Sequence, residues 1–261
     1  MEVIIDTDAK TSSLRAARLV CRLLHSKPNA VLGLATGGTP LMLYSALAEF
    51  HKMGEVGFSQ VATFNLDEYV GLPVGDPNSY RSFMDANFFD KIDIDKARTH
   101  ILDGNAKDIA AECESYERAI RAAGGLDLQI LGIGKDGHIG FNEPSSSFSS
   151  RTRLKSLAPE TLADNARFFG GDKSAVPARA LTMGIGTIME ARSIFLLAYG
   201  AGKADAVAGM VEGALTAKLP ASILQMHPHT KIFLDEAAAS KLELSEYYKK
   251  ISADLASEGQ I

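Results

Sequence analysis

Short apolar runs alternate along the chain with longer segments in which apolar residues recur every three or four positions. The runs are rich in Val, Ile, Leu and Phe and predict buried strands at residues 3–5, 30–35, 61–65, 126–132, 193–199 and 231–234. The longer segments predict helices, among them residues 14–24, 41–51, 109–122 and 203–211. Continuous apolar strands separated by helices are typical of a parallel sheet covered on both faces. We therefore predict an α/β fold, a three-layer, Rossmann-like open sheet that is mostly parallel with helices on both faces.

Two stretches depart from this alternation. Residues 144–177 are polar, rich in Ser and interrupted by Gly and Pro. A connection of that length inside a compact domain is usually functional, such as a lid, or disordered. Residues 252–261 have the composition of a flexible, frayed tail. No repeat, low-complexity tract or linker interrupts the remainder, so we expect a single domain over residues 1–261.

Charge and cysteine content narrow the functional class. The 27 Lys and Arg residues are outnumbered by 32 Asp and Glu residues, for a net charge of −5, which argues against a nucleic-acid-binding protein. Cys21 and Cys113 form no CxxC pair, so we interpret both as small buried hydrophobic residues. The chain has no secretory signal pattern and no apolar run near the ~20 residues that cross a bilayer, so we predict a cytoplasmic protein without membrane contact.

A glycine-containing loop, Thr36-Gly37-Gly38-Thr39-Pro40, follows the second predicted strand. Paired glycines allow a sharp turn and a close approach of ligand to backbone. Thr39 can cap the helix that follows, and Pro40 suits its first position. Exposed N–H groups at a helix start bind anions such as phosphate. The loop lacks the Walker A and GxGxxG patterns, so a phosphate site and a tight turn that needs glycine both remain open.

Two adjacent carboxylates, Asp67 and Glu68, follow the third predicted strand. They are compatible with a solvated turn that caps a helix and with a catalytic pair. Because neighbouring side chains in a strand point to opposite faces, at most one of the two should face a shared pocket.

The segment GIGKDGHIGFNEP, residues 132–144, follows the fourth predicted strand and surrounds Asp136, His138 and Glu143 with glycines. An imidazole beside a carboxylate has a fixed tautomer and raised basicity, as proton transfer requires. One His with two acids lacks the usual ligand spacing of a zinc site, so we predict no metal here. The alternative is a glycine-rich loop with a solvated His.

Seven segments in order resemble the glucosamine-6-phosphate deaminase (glucosamine-6-phosphate isomerase) family: LGLATGGTP, TFNLDEYVGL, GIGKDGHIGFNEP, SRTRLKSL, NARFF, ALTMGIGTIMEAR and LQMHPH. The resemblance extends from about Leu32 to about Asp235. It implies conversion of glucosamine 6-phosphate and water into fructose 6-phosphate and ammonia, within amino-sugar catabolism and without a metal or organic cofactor.

The resemblance also implies roles for individual residues. The loop of residues 36–39 matches the family's phosphate cradle, and Arg167 and Lys203 match its cationic phosphate ligands, which make charge-assisted contacts. His138 would be the acid–base that opens the sugar ring. Closure of residues 144–177, which carry Arg167, would exclude water from the site.

Three carboxylates complete the implied machinery. Asp136 and Glu143 match the groups that hold and polarise the imidazole, as the third member of a catalytic triad does. Asp67 would remove the proton from C2 and return it at C1, a task that suits a carboxylate whose pKa is raised by an enclosed site.

Some family members are hexamers activated by N-acetylglucosamine 6-phosphate, and Ser146, Arg153 and Lys155 match their effector ligands in type. The resemblance therefore implies a homo-oligomer, a hexamer or smaller, with a small sugar phosphate as ligand. The alternative for the SRTRLK segment is a basic strand that pairs with acidic neighbours.

Three other functions compete with this one. 6-Phosphogluconolactonases share a related loop and DGH segment but continue DGHxASLFP, where this chain has DGHIGFNEP and supplies Glu143. A sugar-phosphate sensor would carry an additional DNA-binding domain and a basic surface. Galactosamine 6-phosphate is an alternative substrate that differs in the direction of one hydroxyl.

Overall fold

The computed structural model describes residues 1–257 of the chain. The strands in this range are β1 (Glu2–Asp6), β2 (Val31–Leu34), β3 (Ala62–Asn65), β4 (Asp67–Tyr69), β5 (Thr99–His100), β6 (Leu128–Leu131), β7 (Arg153–Ser156), β8 (Arg179–Thr182), β9 (Ile194–Ala198) and β10 (Thr230–Asp235). The α-helices are α1 (Ala9–Ser26), α2 (Leu41–Lys52), α3 (Tyr80–Asn87), α4 (Ile109–Ala122), α5 (Pro159–Asn165), α6 (Ile185–Met189), α7 (Ala204–Val211) and α8 (Ser245–Ser257).

Seven strands form a parallel sheet in the order β1-β10-β9-β6-β2-β3-β5. Six of them are the strands predicted from the apolar runs, with ends that agree to within two residues. The seventh, β5, has two residues and was not predicted. The predicted α/β class with a mostly parallel sheet is confirmed.

Helices cover both faces of this sheet because its strands alternate their side chains between two cores. Val31 faces the core formed with α4, α6 and α7, whereas Leu32 and Leu34 face the core formed with α1, α2 and α3. Cys113 lies in the first core and Cys21 in the second, and both are buried free thiols, as predicted. The architecture thus has three layers.

A second, antiparallel sheet of order β4-β8-β7 was not predicted. Its strand β7 reads RLKS and is partly exposed, so it lacks the apolar run that identified the other strands. Residues 144–177 therefore contain a strand and the helix α5, and they are not the structureless connection that the composition indicated. A small core holds them in place: Tyr69, Phe141, Leu157, Ala166, Val176 and Ala180.

The C-terminal segment differs from the frayed tail expected at residues 252–261. Residues 252–257 continue α8, and Ser252 is buried against the rest of the protein. The remaining four residues, 258–261, lie outside the described residues. Among residues 1–257, no helix combines the length and the apolar character needed to span a membrane.

Candidate active site

The candidate site lies where the strand order of the parallel sheet reverses. β2 and β6 are neighbours, and the chain proceeds from them in opposite directions, to β3 on one side and to β9 on the other. Loops that follow two such strands diverge and leave a crevice at the carboxyl edge, where α/β sheets bind ligands. The loop after β2 and the loop after β6 both line a pocket of about 150 Å³ at this crevice.

This pocket brings together most of the residues singled out in the sequence. Its lining includes the following predicted residues: Thr36, Gly37, Gly38, Thr39, Asp67, His138, Arg167 and Lys203. Asp136 and Glu143 both lie close to Nδ1 of His138 and are connected to the pocket through this residue. Ser146, Arg153 and Lys155 are not part of the lining.

The loop after β2 turns sharply at Gly37, whose φ of 97° favours glycine. The expectation that Thr39 caps the next helix is wrong: the cap residue is Pro40, and its carbonyl accepts the first helical hydrogen bond, from Tyr44 N at 2.9 Å. Pro40 is therefore one position before the first helical residue, Leu41. Thr39 lines the pocket.

Two cations reach the pocket from different segments. Lys203 ends the 3-10 turn Ala201–Lys203 before α7, and its Nζ donates to the carbonyl of Ile133 at 2.7 Å. Burial lowers the pKa of its ammonium group below the usual range. Arg167 lies in the 3-10 turn after α5 with its guanidinium 4.7 Å from the ring centre of Phe168. Together they can bind an anion beside the N–H groups of the first loop.

His138 lies between two carboxylates. Its Nδ1 is 2.7 Å from Asp136 Oδ1 and 3.8 Å from Glu143 Oε2, which leaves Nε2 as the ring nitrogen not engaged by these acids. Gly134 makes this packing possible, because a Cβ there would lie 2.3 Å from His138 Nδ1 and 2.6 Å from Asp136 Oδ1. The loop therefore needs glycine for a close approach, and the solvated-His alternative does not hold.

The two acids differ in environment. Burial by itself would raise the pKa of Asp136, but hydrogen bonding to His138 and the charge of His138 lower it to about 2. Glu143 is 7% exposed, and its Oε1 accepts from Thr161 Oγ1 at 2.7 Å and from Ala158 N at 3.1 Å. The close contact of an ionised Asp136 with Nδ1 orients the imidazole as the acid of a triad does.

Asp67 is the first residue of β4 and is 6% exposed. Burial, followed by the negative charge of Glu68, raises the pKa of its carboxyl from 3.8 to about 8. The neighbouring Glu68 points to the other side of β4, where it lines a separate cavity of about 430 Å³. The prediction that at most one acid faces the pocket is confirmed, and the solvated turn is excluded because both acids are buried.

Glu68 anchors the strand that carries Asp67. Its carboxylate accepts from three backbone N–H groups: Tyr69 N at 2.8 Å, Tyr80 N at 2.9 Å and Arg81 N at 3.0 Å. The last two belong to the first turn of α3, where a carboxylate is favoured. Glu68 thus fastens β4 to α3, and Tyr80 on α3 lines the pocket.

The same geometry is compatible with a metal ion. Ligand atoms of Asp136, His138 and Glu143 all lie within 4.8 Å of one another. A single imidazole with two carboxylates can hold a divalent cation, but the short Asp136–His138 contact is also the arrangement of an acid–base pair.

The three candidate effector ligands lie beside the small sheet. Arg153 and Lys155 are on β7, and Arg153 Nη1 donates to Asn142 Oδ1 at 2.9 Å. Ser146 is buried, and its hydroxyl has no hydrogen-bond partner among residues 1–257. The alternative of acidic neighbours holds for Arg151 of this segment, which pairs with Glu117 at 2.6 Å and with Glu190 at 2.5 Å. Among residues 1–257, no such ion pair involves Arg153 or Lys155.

Sequence reasoning missed four polar residues of the pocket: Tyr80, Thr161, Asp164 and Asn165. All four lie in helices whose positions were not predicted, α3 and α5. They lie outside the glycine-containing loops that drew attention in the sequence.

A comparison with models of protein families shows to which family the chain belongs. Residues 8–233 match the model for glucosamine-6-phosphate isomerases and 6-phosphogluconolactonases. The chain belongs to this family. Within the family, the chain is 54% identical over 254 residues to a glucosamine-6-phosphate deaminase of Hahella chejuensis, covering 97% of both chains. It is 52% identical over 250 residues to the deaminase of Mycolicibacterium smegmatis, covering 96% of both.

Solved structures of the family separate into near and distant relatives. The structure of a monomeric glucosamine-6-phosphate deaminase is 44% identical with a TM-score of 0.90, over 92% of this chain and 100% of that one. The 6-phosphogluconolactonase of Trypanosoma brucei is 20% identical with a TM-score of 0.72, over 92% and 98% of the two chains. The lactonase therefore shares the fold alone.

Proposed function

We propose that this protein is an enzyme that converts glucosamine 6-phosphate and water into fructose 6-phosphate and ammonia. The observation that carries the proposal is one pocket lined by an anion loop with two cations, a buried carboxylate and a carboxylate-held imidazole. Relatives about 50% identical over nearly the whole chain are deaminases of this kind. The reaction needs an anion site, a ring-opening acid–base and a base at C2, and each has a candidate here.

The phosphate of the substrate binds at the loop of residues 36–39. Backbone N–H groups of this loop approach the anion, and the start of α2 adds its positive dipole end. Arg167 and Lys203 supply charge-assisted hydrogen bonds from the other side of the pocket. Binding at this end holds the sugar ring toward His138 and Asp67.

His138 opens the pyranose ring. Its Nε2 takes the proton of the anomeric hydroxyl and delivers a proton to the ring oxygen, which yields the open-chain aldehyde and leaves the imidazole as it began. Asp136 and Glu143 stabilise the charged imidazole and keep it oriented.

Asp67 transfers the proton from C2 to C1. As a carboxylate it removes the C2 proton, the electron pair forms the C1–C2 double bond, and a proton from the substrate's own ammonium group reaches the oxygen on C1, which gives an enolamine. Return of the C2 proton at C1 gives an iminium at C2, which water hydrolyses to the ketone with release of ammonia as ammonium. The raised pKa of Asp67 makes it a stronger base than an ordinary aspartate.

Four further features complete the proposal. Residues 144–177 act as a lid, and protease sensitivity there that does not change with a substrate analogue would count against this role. N-acetylglucosamine 6-phosphate binds at Arg153, Lys155 and Ser146. A velocity curve that stays hyperbolic and does not change when this compound is added would contradict this role. A homo-oligomer stays a prediction, and because the related deaminase is monomeric, sedimentation must decide it. A cytoplasmic location also stays a prediction.

The test is a coupled assay on purified protein with EDTA present and no added metal. It follows ammonia and fructose 6-phosphate from glucosamine 6-phosphate, with galactosamine 6-phosphate and 6-phosphogluconolactone in parallel. Equal molar release of both products, faster from the gluco sugar, supports reaction, substrate and metal independence together. Loss of activity in EDTA would instead support a cation at Asp136, His138 and Glu143, and hydrolysis of the lactone alone would refute the deaminase function.

A further inference from the structure

We propose that Thr161 is a positioning residue whose hydroxyl orients Glu143 and so couples the seating of helix α5 to the acid–base histidine. This inference rests on the proposed function. It concerns a residue outside the glycine-rich loop, on a helix that also leads to Arg167.

The two carboxylate oxygens of Glu143 have different surroundings. Oε1 accepts from Thr161 Oγ1 at 2.7 Å and from Ala158 N at 3.1 Å, both from the start of α5. Oε2 has no hydrogen-bond donor among residues 1–257 and lies 3.8 Å from His138 Nδ1. The contacts on Oε1 therefore determine how Oε2 faces the imidazole.

Thr161 is the buried residue of α5, at 5% exposed. A helical threonine commonly returns its hydroxyl to a carbonyl one turn earlier, but here it donates to Glu143. With only 7% of Glu143 exposed, water cannot readily replace this donor. Removal of the hydroxyl leaves Oε1 with the single backbone N–H of Ala158.

The same helix connects to the pocket at three more points. Asp164 pairs with Lys135 at 2.9 Å, next to the His138 loop, and Asn165 Nδ2 donates to Tyr69 Oη at 2.9 Å. Arg167 lies in the turn after the helix, two residues beyond its last residue, and lines the pocket. A phosphate bound by Arg167 thus holds the helix that holds Glu143, so binding at the phosphate end aligns the group that opens the ring.

The experiment compares Thr161→Val with Thr161→Ser, with Thr187→Val as a matched control. Valine keeps the shape and removes the hydroxyl, whereas serine keeps the hydroxyl. Thr187 is equally buried and donates its hydroxyl to a buried glutamate, Glu117, at 2.6 Å, but it does not line the pocket. Its variant therefore reports the general cost of losing such a bond.

We expect Thr161→Val to lower kcat about tenfold or more while KM changes less than about threefold, because a hydrogen bond to a charged group is lost at a step after binding. The shape of the kcat–pH profile also changes, since the carboxylate that faces the imidazole is no longer held in place. Thr161→Ser retains most of the wild-type kcat, and Thr187→Val retains kcat and the pH profile even where thermal stability falls.

Three outcomes overturn the inference. Folded Thr161→Val with wild-type kcat and pH profile would show that the hydroxyl has no role in catalysis. A serine variant as impaired as the valine variant would assign the effect to helix packing. Equal loss in Thr187→Val would assign it to general destabilisation. If the wild-type protein is inactive on glucosamine 6-phosphate, the proposed function itself is refuted. The wild-type activity is measured in the same assay before any variant is compared.

Discussion

Asp67→Asn is expected to make the protein inactive and more stable. The carboxyl is buried, and among residues 1–257 no donor hydrogen-bonds to it to compensate for lost water. Its pKa is therefore raised from 3.8 to about 8 in the folded protein. Asparagine has nearly the same shape and carries no charge at any pH, so the variant separates the cost of the ionisable group from its packing.

The magnitude follows from proton linkage. Below about pH 4 the carboxyl is protonated in the folded and unfolded chain alike, so its ionisation does not change the free energy of unfolding. Between pH 4 and pH 8, roughly, the unfolded chain ionises while Asp67 in the folded chain does not, so stability is lost as the pH rises. Near pH 7, about three pH units above the ordinary pKa of an aspartate, the stability lost by the wild type is about 4 kcal/mol. This is an upper limit on the gain from Asp67→Asn, because asparagine also buries a polar amide.

The assay is urea-induced unfolding of wild type and Asp67→Asn at several pH values from about 4.5 to about 8. We expect the difference in unfolding free energy to grow with pH in favour of the variant, and kcat to fall to background because no base remains for C2. Inhibition by inorganic phosphate, which needs only the anion site, should stay near the wild-type value. Equal stability of both proteins at every pH would refute the reasoning on Asp67, as would near-normal turnover by the variant.

Two other substitutions test the electrostatics of the pocket. Glu68→Gln should shift the acidic limb of the kcat/KM–pH profile to lower pH, because the charge of Glu68 helps to raise the pKa of Asp67. The control is Glu117→Gln, which changes an equally buried glutamate and should leave the pH profile unchanged. Lys203→Met should raise KM for glucosamine 6-phosphate about tenfold or more through loss of a charge-assisted phosphate contact, and an unchanged KM would remove Lys203 from the phosphate site.

The parallel sheet could be predicted from the sequence because its strands are buried on both faces. Such strands read as continuous apolar runs, and all but the two-residue β5 were found to within two residues. The pocket residues could be predicted for a related reason. Loops after parallel strands collect at one edge, so chemistry at the ends of β2 and β6 had to converge once the strands were neighbours.

The small antiparallel sheet could not be predicted in the same way. β4 has three residues and consists of DEY, and β7 carries Arg153 and Lys155 on a partly exposed surface. Their pairing depends on β8 and on a core of aromatic and small side chains drawn from distant parts of the chain. Propensity alone disfavours strands of this composition, and tertiary packing overrides it. The helix α5, and Thr161 with it, was missed because its seven residues lie in a polar, Ser-rich stretch that Gly and Pro interrupt.

The small sheet also explains how Asp67 and His138, to which we assign proton transfer in the proposed reaction, keep a fixed spacing. Thr182 on β8 pairs directly with Asp67 on β4 and with Arg153 on β7. Its Oγ1 accepts from Phe141 N at 3.0 Å, which ties the His138 loop to the strand that faces Asp67. Arg153 contacts the same loop through Asn142. A ligand bound at Arg153 would therefore act on Asp67 and His138 together, because both depend on β8 for their relative position.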